Sequence, residues 1–531
     1  MERLPAEIID KVASYLYEHS SLHPREIEEV HRCSPWSQFE ENLLDWGGQN
    51  LAPYTVISRQ WQAAVEKLIW EKVVLLDEEG LQSLEQYTSG NLYRCMRRMH
   101  IRHMIVDASI GIPRTNPPSS QVPKSIANDF PTVHNHKYRN LIVRLFGLLH
   151  SWTSGPYVTP GIDLWLGGGG PYTKEGVLKV IDGQVLKSLS VDELYEQNQM
   201  SHLFHLTSED VSDIPNVSCV KSFNVREIAN TPVAFRRKFS HVRPSAYFQT
   251  LSCLSGVKRA WGRETYVIPP DAIRALQEHR QELADHLPLV PSSVETFKYT
   301  LYHRREMSYE YWGDAANYLS PSGRDELSIA FGTLGTRLRT LTLDGVRISP
   351  QFFYSPSRSN GESMKVMHWP HLEVLQILDM PPYTADGKWI IDEDAEKENN
   401  ARYRRSLCGP RDMWTAHEYG KRGLMKNHQL DKLYQAMGRA ARQMPRLRLL
   451  SFTFRGEMCK DFSDVNFDTS ESLHLSRDRE SSAGTRLEIN TVWKYQLGND
   501  VISAWGLERE PIEKTAHGWV IMSHKWPLLN G

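Results

Sequence analysis

The chain has 531 residues, 40% of them hydrophobic and 24% charged, with 15 Trp and 22 Tyr, which is the composition of a folded protein and not of a disordered one. That length exceeds the roughly 250 to 300 residues at which one core stops growing, so two or more domains or an elongated repeat array is expected. With 62 basic and 64 acidic residues the formal charge is −2, which excludes a global field inviting nucleic acid or an acidic membrane surface.

In chain order, the first predicted element is a helix over residues 4–16. Leu4, Ile8, Val12 and Leu16 fall at four-residue intervals along one face, and Pro5 occupies a permissive first turn. A second amphipathic helix follows, with Ile57, Trp61, Ala64, Leu68 and Ile69 at three- and four-residue spacing and Trp70 beyond them. It ends before the strand-like Val73-Val74-Leu75-Leu76. Residues 17–50, containing Pro24 to Val30 and Trp36 to Phe39, separate the two helices and read as an extra helix and loop.

Beyond Leu76 a short unit recurs: aliphatic-x-x-aliphatic-x-aliphatic, an aromatic sometimes replacing an aliphatic. It occurs at Met96 to Ile101, Leu186 to Val191, Val220 to Val225, Val294 to Tyr299, Leu338 to Leu343, Leu372 to Ile377 and Leu447 to Phe452. The last two apolar residues of each copy point to one side of a strand, while the first packs beneath as the chain turns in. Helical patterns precede several copies, over Asp271 to His286 and over Asp431 to Met444, where Leu433, Met437, Ala440, Ala441 and Met444 form an apolar stripe. A degenerate copy is expected at Leu251-Ser252-Cys253-Leu254. Long gaps place inserted loops near 113–131, 166–176 and 381–428. An extended hairpin is expected near 455–497, pairing Asp461 to Phe467 with Arg486 to Tyr495 around a loop at Ser470 to Thr485. Trp519 to Met522 is the expected last strand.

The order Leu4-Pro5-Ala6-Glu7-Ile8, a helix closing in Tyr15-Leu16, then Ile57-Ser58-Arg59-Gln60-Trp61 and the later Trp70, resembles the F-box, the adaptor-binding module of Skp/cullin/F-box ubiquitin ligases. The stacked helix–turn–strand units behind it resemble irregular leucine-rich repeats, although the copies lie further apart than the ~20 to 29 residues of regular ones and lack an Asn or Cys at the turn. The resemblance implies an α/β chain: a small helical F-box module over 1–76 that departs from the family by an insertion at about 17–50, then an irregular leucine-rich-repeat-like solenoid of parallel strands with outer helices over 77–531. It implies adaptor binding through Leu4, Pro5, Ile8, Val12, Leu16, Ile57, Trp61 and Trp70. The adaptor links the chain to a cullin, and the repeat domain binds a protein substrate of unknown identity. No cofactor and no catalytic residue is then needed, because proximity alone carries the chemistry. A non-catalytic F-box scaffold or assembly protein acting outside ubiquitination is the second reading.

Signatures of catalysis do not compete with this. The glycine run Gly167 to Gly170 fits no phosphate-binding pattern and is closed by Pro171. No G-x-S-x-G, H-E-x-x-H or zinc-deaminase motif is present. His134 and His136 lack a third metal ligand, and Cys33, Cys95, Cys219, Cys253, Cys408 and Cys459 have neither metal spacing nor the density of a disulfide framework. Arg94, Arg97, Arg98, Arg102, His100 and His103 form a basic cluster, read as a solvated face with an acidic partner patch as the alternative. The stretch 402–426 mixes cations with Tyr403, Trp414 and Tyr419, but nucleic-acid binding is not expected, as no known module accompanies it. Acidic residues near the N-terminus argue against a signal peptide and no apolar run spans a bilayer, so a cytoplasmic or nuclear location without membrane contact is expected.

Overall fold

Strands with apolar residues two apart have one side to cover, and connections between parallel strands are long enough to supply helices as the cover. The protein is seen in a computed structural model that describes residues 8–9, 11–12, 59–75, 78–107, 124–153, 161–167, 206, 208–225, 242–266, 273–303, 319, 323–355, 365–380, 427–454, 472–477, 485–490, 497–508, 510–515 and 518–523. Among these, thirteen strands form one open sheet. Nine run parallel, side by side in chain order: β1 (Lys72–Leu75), β2 (His103–Asp107), β3 (Ile162–Gly167), β4 (Val220–Val225), β5 (Arg259–Tyr266), β6 (Thr296–His303), β7 (Thr340–Asp344), β8 (Val374–Met380) and β9 (Leu449–Phe454). An antiparallel extension follows, β10 (Ser472–Arg477) and β11 (Thr485–Asn490), then β13 (Gly518–Ser523) with β12 (Ile512–Thr515) at the far edge.

The helices are α1 (Arg59–Glu71), α2 (Glu78–Thr88), α3 (Leu92–Arg97), α4 (Lys124–Ser151), α5 (Ser208–Ser212), α6 (Pro244–Ser252), α7 (Ile273–His286), α8 (Glu326–Gly335), α9 (Asn427–Ala441) and α10 (Asn499–Trp505). Parallel neighbours joined in sequence by crossovers of one hand place their connections on the same face. Accordingly α6 packs on α7, α7 on α8, and α9 on α10.

Two apolar rows cross the whole sheet beneath those helices. One reads Val73, Met104, Leu164, Phe223, Ala260, Phe297, Leu341, Leu375, Leu450, Leu475, Leu487 and Ile521, each residue paired with the next across neighbouring strands. The second, two residues further along the parallel strands, includes Val106, Leu166, Val225, Tyr299, Leu343, Ile377 and Phe452, all buried. The first residues of the units at 220, 294, 338, 372 and 447 (Val220, Val294, Leu338, Leu372 and Leu447) are buried as well.

Repeats at 220, 294, 338, 372 and 447 therefore are strands, and three expectations need correction. Met96 to Ile101 is the end of α3, a turn and the buried Ile101; the strand follows it, with Met104 and Val106 as its buried residues. Apolar residues three apart suit a helical turn as well as the strand entry, and Asn91 caps this helix by accepting from the Arg94 amide at 3.0 Å. Leu251 to Leu254 closes α6 and is not a strand; its neighbour β5 carries Ala260 and Gly262 at the inward positions. A Cβ on Gly262 would lie 2.8 Å from the Tyr299 ring and 3.1 Å from Tyr247, so these tyrosines fill the place of a larger residue. Residues 472–477, expected as a loop, are strand β10, and it is β10 that pairs with β11.

Several expectations lie wholly or partly outside the described residues: Leu186 to Val191, 17–50, Asp461 to Phe467, and most of the loops near 113–131, 166–176 and 381–428. α4 begins at Lys124, inside the first of those loops, and β3 runs to Gly167. β1 at Lys72–Leu75 shows that the sheet starts before residue 77.

A charged residue precedes each of the strands β5 to β9 at the rim. Lys258, Glu295, Arg339, Glu373 and Arg448 alternate in sign along successive strands and are joined through their backbones, each amide donating to the carbonyl of the one before at 2.7–2.9 Å. Lys258 and Glu295 pair at 2.7 Å and Arg339 and Glu373 at 2.9 Å. Exposed pairs of this kind contribute about 0 to 1 kcal/mol each, so their main effect is on neighbour order and register.

Leu341 is fully buried between Phe297 and Leu375. Leu341→Ala is expected to lower unfolding stability by about 2–5 kcal/mol, whereas Arg339→Ala changes it by about 1 kcal/mol or less; urea denaturation of the two variants checks the contrast.

Candidate functional site

The N-terminal helical segment builds its own small core. Ile9, 1% exposed, packs with Trp61, Ala64 and Val65 of α1, and Leu68 and Ile69 lean against the same cluster. Ile8 and Val12, one turn apart on the same helical segment, are instead 42% and 40% exposed. The four-residue stripe read from the sequence thus faces outward where it is described, and the contact with α1 comes from the neighbouring Ile9. Leu4, Pro5, Leu16 and Ile57 lie outside the described residues.

The two tryptophans have structural surroundings. Trp61 is buried in the small core, while Trp70, at the other end of α1, packs against the main core under the sheet. Between them α1 runs directly into β1. This continuity fixes the small core to the edge of the sheet.

A cation strengthens the joint. Arg97 of α3 pairs with Glu66 of α1 at 3.0 Å, and its guanidinium lies 5.3 Å from the Trp70 ring, 5.8 Å from Tyr87 and 5.2 Å from Tyr93. Gln62 of α1 donates to the Tyr93 hydroxyl at 2.6 Å. Arg98 donates to the Thr88 carbonyl at 2.5 Å and lies over Trp152 at 5.7 Å. Two members of the basic cluster are therefore anchored against aromatic rings, not spread over a solvated face. Both His100 and His103 titrate below the ordinary histidine value, mainly through burial.

The side of the sheet away from the helices is polar in its middle. Trp165, Asn224, Trp261, Lys298, Thr342 and Gln376 occupy successive positions of one row across β3 to β8. Trp165 and Trp261 meet edge to face at 6.1 Å, and the Lys298 ammonium lies 4.5 Å above the Trp261 ring. Thr342 donates to Gln376 at 3.0 Å, and further on the Ser451 hydroxyl and His474 Nδ1 are 3.0 Å apart.

On the helix side, a network of charges links α6, α7 and α8. Glu264 accepts from the Tyr299 hydroxyl at 2.7 Å and lies 2.7 Å from His279 Nε2. Glu282 pairs with Arg243 at 2.8 Å and accepts from the Ser245 amide at 3.2 Å. Arg280 pairs with the fully buried Asp325 at 2.6 Å; Asp325 in turn caps α8 by accepting from the Ser328 amide at 3.1 Å. The two carboxylates Glu264 and Glu282 balance Arg243 and a protonated His279, so the group is neutral only when the imidazole is charged.

Among the described residues no cluster of three or more His, Cys, Asp or Glu could hold a metal ion. His134 and His136 fall on the helical backbone of α4. Cys95, Cys219 and Cys253 are free thiols, and no helix among the described residues is long and apolar enough to cross a membrane. Gly168 to Gly170, residues 402–426, Cys33, Cys408 and Cys459 lie outside the described residues.

What the geometry defines is an α/β protein with a large, open, mostly parallel sheet, carrying at its first edge a helical unit that presents aliphatic side chains to solvent. No protein-family model matches the chain, and no curated protein matches it.

The charge network carries a pH dependence. Burial pulls the His279 imidazole down, but Glu264 and then Glu282 outweigh it, so His279 titrates above the ordinary 6.5. Burial raises Glu282, but Arg243 and the Ser245 contact outweigh it and hold the carboxyl below the ordinary 4.5. The His279 contribution is complete below its unfolded value and is lost as pH rises through the elevated folded one. That of Glu282 is complete above its unfolded value and is lost as pH falls through the depressed folded one. The network is expected to stabilise the fold most between pH 4.5 and 6.5. Urea denaturation across pH should show a fall in stability above that window that His279→Gln reduces; the same fall in both proteins contradicts it.

Proposed function

We propose that the chain is a substrate-recognition subunit of a Skp/cullin/F-box-type ubiquitin ligase. On this reading the helical unit is an F-box and the sheet with its helices is an irregular leucine-rich-repeat-like solenoid. The single observation that carries the proposal is the split within the first helix: Ile9 is buried against Trp61, while Ile8 and Val12 stand exposed four residues apart. Exposed aliphatic residues held by a small dedicated core are what a partner-binding helix requires, and such anchors typically dominate an interface. The residues named from the resemblance then divide by role. Ile8 and Val12, with Leu4, Pro5, Leu16 and Ile57 outside the described residues, meet the adaptor; Trp61 and Trp70 hold the helices in place.

On this reading the sheet with its helices binds the protein substrate. Ubiquitin is delivered by other subunits, and this chain contributes proximity, not catalysis. The location implied is cytoplasmic or nuclear.

The double variant Ile8→Asp, Val12→Asp is expected to abolish co-purification of a Skp-type adaptor while leaving the thermal midpoint within a few degrees of wild type, since both residues are exposed. Retained adaptor binding by the folded variant contradicts the proposal. Recovery of adaptor together with cullin supports a ligase subunit, and recovery of adaptor alone supports a scaffold acting outside ubiquitination.

A further inference from the structure

Large hydrophobic side chains exposed to solvent are concentrated in one place. Among the described residues, Tyr87 at the end of α2, Leu92, Tyr93 and Met96 on α3 and Met99 just beyond it are each at least 40% exposed, Leu92 reaching 62%. α3 has no buried residue at all. Leu92, Met96 and Met99 are four and three residues apart, the spacing of one helical face. This small helix is nevertheless rigidly seated, because Arg97 and Arg98 anchor its inner side to Glu66, Trp70 and Trp152.

Beside the patch stand Arg94 and Arg102, and residues 92–103 hold no Asp or Glu; Arg97 and Arg98 belong to the inner side, where Arg97 is paired with Glu66. Lys67 of α1 reaches the same neighbourhood: behind the larger effect of burial it and Arg102 act to depress His100, against the opposite pull of Glu66, which is itself paired with Arg97. An apolar centre with a positive rim fits a protein surface of apolar residues ringed by carboxylates.

Its position specifies which partner. α1 carries the small core that displays Ile8 and Val12 along one side and binds α3 along another, through Gln62 to Tyr93 and Glu66 to Arg97. We propose that the outer face of α3, with Tyr87 and Met99, is a second docking surface for the same adaptor that receives the first helix, taking an acidic segment of it. This rests on the F-box reading above. The adaptor then grips α1 from both sides and fixes the angle at which the sheet presents its substrate.

The test is calorimetric titration of purified Skp-type adaptor into the full chain at two salt concentrations. Leu92→Ser, Met96→Ser, Met99→Ser is expected to weaken binding about 10-fold or more with an unchanged thermal midpoint. Arg94→Glu, Arg102→Glu is expected to weaken it and to flatten the loss of affinity with salt. Should the triple variant not fold, Leu92→Asp alone carries the same expectation. Wild-type affinity in the folded α3 variants overturns this inference while leaving the F-box reading intact; absence of binding by the wild-type chain overturns both. Binding of RNA or of anionic vesicles abolished by the same variants, with adaptor binding untouched, also overturns it.

Discussion

Every inward strand position of the sheet depends on one constraint: two apolar side chains, two residues apart, must enter the same layer as their neighbours on the strands to either side. A slip of one residue would turn both into solvent and bring polar residues under the helices. Phe297, Leu341, Leu375 and Leu450 satisfy the constraint in succession, and where space is short Gly262 gives way to Tyr299 and Tyr247. Because each strand pairs with the next in the chain, the connecting helices α6, α7 and α8 pack side by side as one layer. The other side of the sheet is polar at its centre as a consequence of the same alternation, and Trp165, Asn224 and Thr342 there are buried as well.

Two sets of charges then fix neighbours that the apolar rows alone would leave interchangeable. At the rim, Lys258, Glu295, Arg339, Glu373 and Arg448 alternate in sign, so a strand inserted out of order meets like charge. Within the helix layer, Glu282 to Arg243 and Arg280 to Asp325 tie α7 to the helix before it and to the helix after it. The first of these ties is partly buried and the second more so, and each is stabilised by further hydrogen bonds, the condition under which buried ion pairs are tolerated.

The sequence made the strongest strands legible. Leu338, Leu341 and Leu343, or Leu372, Leu375 and Ile377, announce themselves by residue type and spacing. β5 escaped because its inward positions are Ala260 and Gly262, whose partners supply the bulk. β3 escaped because a register shift between Ile162 and Asp163 removes one residue from the expected spacing. Met96 and Met99 misled for the opposite reason, being apolar, correctly spaced and yet exposed on a helix. At the N-terminus the stripe of Ile8 and Val12 was evident, but its outward direction was not; Ile9, off the stripe, is the residue that meets Trp61. Arg97 read as solvated because no local pattern reveals a guanidinium caught among Trp70, Tyr87 and Tyr93.

Joined in this way, α1 is both the wall of a small display core and the lead-in to the sheet, so a partner bound at one end is held in fixed relation to whatever the sheet binds. Hydrogen exchange of the full chain with and without purified Skp-type adaptor tests that account most directly. It predicts slowed exchange over 8–12, 59–71 and 92–99 together, with the amides of β4 to β8 unchanged. Unchanged exchange in the first three segments, or slowing confined to the polar side of the sheet, would contradict it.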